Sequence, residues 1–81
     1  MEISNELRNL VDPNSECCCE HSLGNKCKEW VNKQGYWANS GYDNKYYCML
    51  RDMPDNKWFY ADTEVEAIFK ACEWVLSEIN K

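Results

Sequence analysis

Apolar and polar positions alternate with two different periods along this chain, and the change of period divides it into helical and extended parts. Between Asp62 and Lys81, the residues Val65, Ile68, Phe69, Cys72, Val75, Leu76 and Ile79 recur at the spacing of one helix face. Thr63 is placed to cap that helix, with Glu66 three residues later completing a capping box. Asp62, Glu64 and Glu66 fall at the positive end of its dipole and Lys81 at the negative end. This is the predicted main core element. Trp74 lies off the stripe, near Ala67, Ala71 and Glu78, a side expected to meet a second subunit or the N-terminal segment.

Two shorter helices are predicted upstream. Ile3, Leu7, Leu10 and Val11 form one stripe that ends before Pro13, which disfavours helical backbone at Asp12. A polar, cysteine-loaded loop from Asn14 to His21 follows. The second helix is expected from Ser22 or Asn25 to Gln34, with Leu23, Cys27, Trp30 and Val31 inward and Gly35 in the left-handed cap position.

From Tyr36 the pattern becomes extended. Tyr36-Trp37-Ala38 is a short apolar run, and Asn39-Ser40-Gly41 reads as a turn. Lys45 to Arg51 and Lys57 to Ala61 read as two strands, apolar on both faces, joined through the breakers Asp52-Met53-Pro54-Asp55-Asn56 as an antiparallel hairpin. Strands apolar on both faces imply a sheet covered on more than one side. The predicted class is α+β in the order α-α-β-β-α, with a further strand around Tyr36–Ala38 as a variant. One domain spans residues 1–81: an N-terminal helix and Cys-rich loop (1–21), then an αββα core (22–81).

Several of these stretches resemble a family of small phage-encoded proteins, the phage α/β/α-sandwich domain, over roughly residues 22–80. The likeness lies in a helix closed by Gly35-Tyr36-Trp37, the aromatic hairpin Tyr46 to Tyr60, and the run Phe59-Tyr60-Ala61-Asp62-Thr63. That run leads into Glu66-Ala67-Ile68-Phe69-Lys70-Ala71-Cys72, the most specific piece. The resemblance implies a phage or prophage gene and an accessory role against host defence, in the cytoplasm of a bacterial host cell. It assigns no chemistry to any residue, and the Cys17–Cys19 cluster is outside its pattern.

Composition adds constraints. The chain has 81 residues and eleven aromatics, enough burial for one modest core. Its net charge of −5 argues against sequence-independent binding to nucleic acid or to an anionic membrane. It leaves room for a basic partner. No basic n-region precedes an apolar run, and no stretch approaches the roughly 20 apolar residues of a membrane span, so a soluble, intracellular protein is expected. The six cysteines then stand in a reducing compartment, as free thiols.

Three constellations carry candidate chemistry. Cys17, Cys19, His21 and Cys27 would offer zinc three thiolates and an imidazole, but one residue between the first two sulfurs is short for a zinc knuckle. A reduced thiol loop with no cofactor is the preferred reading, against zinc or a disulfide formed on purification. His21 beside cysteines has no third group to make a nucleophile pair, so no enzyme is expected. The aromatics carry most: eight of eleven fall between Tyr36 and Tyr60, more than one small core covers. Trp37, Tyr46, Arg51, Trp58 and Tyr60 are the candidate binding residues, suited to stacking on a base or to anchoring a protein interface. The first functional expectation is a phage protein that binds a host defence protein. The alternative is a sponge for a nucleotide immune signal, as a homo-oligomer with pockets between subunits. A zinc-stabilised interaction module is the third.

Overall fold

The computed structural model describes residues 3–16, 19–52 and 55–81, and excludes the side chains of Glu20, Asp52 and Asp55. Three helices and three strands run in the order α1 (Asn5–Val11), α2 (Glu20–Lys33), β1 (Trp37–Asp43), β2 (Lys45–Asp52), β3 (Asp55–Ala61) and α3 (Glu64–Ile79). The α+β class therefore stands, with three strands in one antiparallel sheet of order β1-β2-β3. None of the described helices is long and apolar enough to cross a membrane.

Local chemistry explains the helix ends. Ser4 Oγ accepts from Leu7 N at 3.2 Å and caps α1. Thr63 Oγ1 accepts from Glu66 N at 3.1 Å and caps α3, as its sequence predicts. After α2, Gly35 takes φ 96°. Tyr36 N donates to Val31 O at 3.3 Å and Gly35 N to Asn32 O at 3.1 Å, the pair of bonds of a Schellman motif. Helix α2 begins at Glu20, earlier than Ser22 or Asn25, with Cys19 as its N-cap. The helical part thus starts inside the segment expected as a loop.

Helix α3 is the hub, packing against α1, α2 and all three strands. Val65, Ile68, Phe69, Cys72, Val75 and Leu76 are buried, together with Ala67 and Ala71. Leu23, Cys27, Trp30 and Val31 of α2 join them, as do Ile3, Leu7 and Val11 from the N-terminal segment. Ile79, the last residue of α3, keeps the period of the stripe but is 45 % exposed. Leu10 is likewise exposed. Trp74 is half-buried against the core of its own chain. Its indole packs edge-on to Tyr36 at 5.7 Å and against Phe59 at 6.1 Å, so it seals α3 to the sheet.

Polar ties fix the periphery. The buried Asp12 carboxylate accepts from Glu16 N at 2.9 Å and lies 3.6 Å from Lys26 Nζ, holding the segment after α1 onto α2. Ser4 N donates to Glu73 Oε1 at 2.9 Å, and Lys70 Nζ donates to Tyr60 O at 2.7 Å.

Three expectations about the sheet are corrected. Asn39-Ser40-Gly41 is not a turn but the middle of β1, in register with Met49, Cys48 and Tyr47. The reversal comes later, at Asn44, which takes the left-handed conformation with φ 64°. The second hairpin pairs Asp52 with Asp55, so its connection is shorter than expected; Met53 and Pro54 lie outside the described residues. The sheet is also not covered on more than one side. Among the described residues the helices lie on one side only, over Cys48 and Leu50, which are fully buried.

Candidate functional site

Period-2 alternation sends every second strand residue to the side without helices. Register then aligns those residues in rows across the three strands. Trp37, Arg51 and Asn56 form one row, Asn39, Met49 and Trp58 the next, Gly41, Tyr47 and Tyr60 the third. Asp43 and Lys45 finish the face at the first hairpin. Trp37 is 64 % exposed, Trp58 50 % and Tyr60 48 %, while Tyr47 and Met49 are half-buried among them.

The rings on this face are organised by one another. Trp58 and Tyr60 lie 6.4 Å apart with planes only 11° from parallel, and Tyr47 packs on Trp58 at 5.3 Å. Gly41 makes the position of Tyr47 possible. A Cβ there would sit 2.9 Å from Tyr47 Oη and 3.1 Å from Cζ, so the phenol ring lies directly over the glycine backbone. Among the described side chains the face thus presents four rings, a thioether, the amides of Asn39 and Asn56, and two cations against the single acid Asp43. None of the ion pairs among the described residues involves Arg51.

Four of the five binding residues expected from sequence, Trp37, Arg51, Trp58 and Tyr60, therefore share one surface. Tyr46 does not. It shares the parity of Cys48 and Leu50 and lies on the helix side, where its ring meets Tyr42 at 4.9 Å. There it lines a cleft of about 340 Å³ with His21, Asp62, Thr63, Glu64 and Val65. The five-residue separation of Tyr46 and Arg51 on one strand already places them on opposite faces. The same parity identifies Tyr47 and Met49 as partners of Arg51, although neither is among the five expected binding residues. Asn39, Gly41 and Asn56 required the register.

The cysteines divide between surface and core. Cys19 is exposed, with Sγ 3.4 Å from Ser22 Oγ, and His21 is exposed close by. Cys27 lies eight residues further along α2, roughly 12 Å away at about 1.5 Å per residue. Sulfurs sharing one zinc lie within about 4 Å of each other, so Cys19 and Cys27 are not placed to share an ion. Cys17 itself lies outside the described residues, and among the described residues no group of three or more metal-type side chains converges. Cys27 instead hydrogen-bonds Cys72 in the core, which together with burial raises the Cys72 pKa. Burial also pushes the Cys48 thiol up to about 11, against a smaller opposing effect of Lys28.

No protein-family model matches the chain, and no curated protein or solved structure matches it either.

Proposed function

We propose that this chain is a binding protein and not an enzyme, and that it holds a planar, negatively charged ligand of the nucleotide class on the open face of its sheet. One observation carries the reading: four aromatic rings share an uncovered face with Arg51, whose guanidinium joins none of the ion pairs among the described residues. Rings supply stacking to any base, and a guanidinium supplies a forked donor to phosphate. In the setting implied by the phage resemblance, such a protein withholds a nucleotide signal from a host defence system inside the bacterial cell.

The second reading, docking on a host defence protein, is favoured by the net charge of −5, which suits a basic partner, and by the tryptophan anchors.

The test is an alanine series at Trp37, Arg51, Trp58 and Tyr60, scored for folding by circular dichroism and for protection of phage against host defence. Native mass spectrometry of freshly purified protein would read retained nucleotide and subunit number together. Folded variants that lose protection, with Arg51→Ala among them, support an anionic ligand. Loss of protection at the tryptophans with Arg51→Ala fully active would favour the protein partner. Loss only in unfolded variants would remove the face from consideration.

A further inference from the structure

The open face offers more than one stacking position, and their spacing carries information about the ligand. Residues two apart on a strand are separated by about 6.6 Å, and successive rows of this face repeat at that interval. The Trp58 and Tyr60 rings keep the same interval, 6.4 Å, with nearly parallel planes. A stacked nucleic-acid strand rises about 3.4 Å per nucleotide, and an extended single strand advances roughly twice that. The rows therefore match the step of an extended oligonucleotide, one base to a row. Tyr60 and Tyr47 occupy the third row, Trp58 the second, and Trp37 the first, where Arg51 stands beside it. Asn56 and Asn39 add amide donors and acceptors in rows one and two.

Charge limits the length. The face carries Lys45 and Arg51 against Asp43, whereas the chain as a whole carries −5. A polyanion running beyond the sheet would leave this locally cationic patch and gain no further cations from the face, on a chain that is acidic as a whole. We propose that the occupant is a short oligonucleotide of two to three linked nucleotides, lying along the strand direction across the face of β1, β2 and β3 with a phosphate at Arg51. This rests on the nucleotide-class reading above and adds to it the number of linked bases.

The experiment uses the full chain and three probes: adenosine monophosphate, linear triadenylate and a 20-nucleotide oligoadenylate. Adenine is chosen because base stacking on aromatic platforms is sequence-tolerant. Binding is read by quenching of tryptophan fluorescence and by calorimetry. Triadenylate is expected to bind at least tenfold more tightly than the monophosphate. The 20-mer is expected to gain no more than its statistical number of sites. The slope of log K against log salt should be small, about −0.7 to −1.4 for one or two phosphate contacts. Trp58→Ala and Arg51→Ala, checked for folding, should each weaken triadenylate about tenfold, while Tyr46→Ala on the opposite face should not.

Equal affinity for monophosphate and triadenylate would overturn the linked-base inference and leave the nucleotide-class reading standing. No quenching or heat by any probe at millimolar concentration would overturn both. A 20-mer that binds beyond its statistical gain would make the occupant a polymer, and loss of binding in Tyr46→Ala would move the site to the cleft. Either result refutes the short ligand on this face.

Discussion

Phe69 and Ile79 lie on the same periodic stripe of α3, yet the structure gives them opposite environments, and this difference can be measured. Phe69 is 2 % exposed and Ile79 is 45 % exposed. Truncating a fully buried phenylalanine to alanine costs about 3–5 kcal/mol, from lost transfer energy and the cavity left behind. A domain of this length holds roughly 4–12 kcal/mol in total at about 0.05–0.15 kcal/mol per residue. Phe69→Ala therefore removes a large share of the stability and lowers Tm by roughly 12–40 °C at about 4–8 °C per kcal/mol. Ile79→Ala loses contacts on only part of its surface, in a last turn that can relax, and should cost about 1 kcal/mol or less. Urea unfolding followed by far-UV circular dichroism reads both, with an unchanged m-value confirming that the native fold is compared. If Phe69→Ala does not fold, Phe69→Leu provides the measurement at about 1–2 kcal/mol. Equal losses at the two positions, or a loss below about 1 kcal/mol at Phe69, would refute the placement of α3.

Two further outcomes follow from the core. Gly24 lies inside α2, and an added Cβ would meet Ile68 and Val65 at 3.8 Å, ordinary contact distance, so Gly24→Ala should stabilise by about 1 kcal/mol through helix propensity, read as a higher urea midpoint. The buried Cys48 thiol has its pKa raised from 9.0 to about 11, so the folded state holds that proton more tightly than the unfolded chain. Its contribution is present in full below about pH 9 and is lost as pH rises to about 11, up to about 3 kcal/mol. Urea midpoints at pH 8 and 10.5 should fall less in Cys48→Ala than in the native sequence; equal falls would refute the assignment.

Much of this molecule was legible in one dimension because its helices are local objects. The stripe of α3, the cap at Thr63, the inward face of α2 and the Gly35 stop each depend on residues within a few positions of one another, and the structure keeps the last three whole and buries the stripe as far as Leu76. The two strands at 45–51 and 57–61 were also readable from β-favouring, apolar runs. The candidate face was half legible. Strand parity alone groups Arg51 with Tyr47 and Met49 and sets Tyr46 apart.

Tertiary structure decided the rest. Asn39-Ser40-Gly41 has the composition of a turn, but it is a strand because β2 supplies hydrogen-bond partners and the Tyr47 ring packs on the glycine. Trp74 finds Tyr36 and Phe59 from elements 38 and 15 positions away, beyond the reach of any periodic pattern. Ile79 satisfies its helical period and is still exposed, because the period describes a face and not the extent of the surface opposite it. Apolar strands on both sides of a sheet state that two faces need cover. Only the placement of the helices shows that one face received it, and that Trp37, Trp58 and Tyr60 remain on the other.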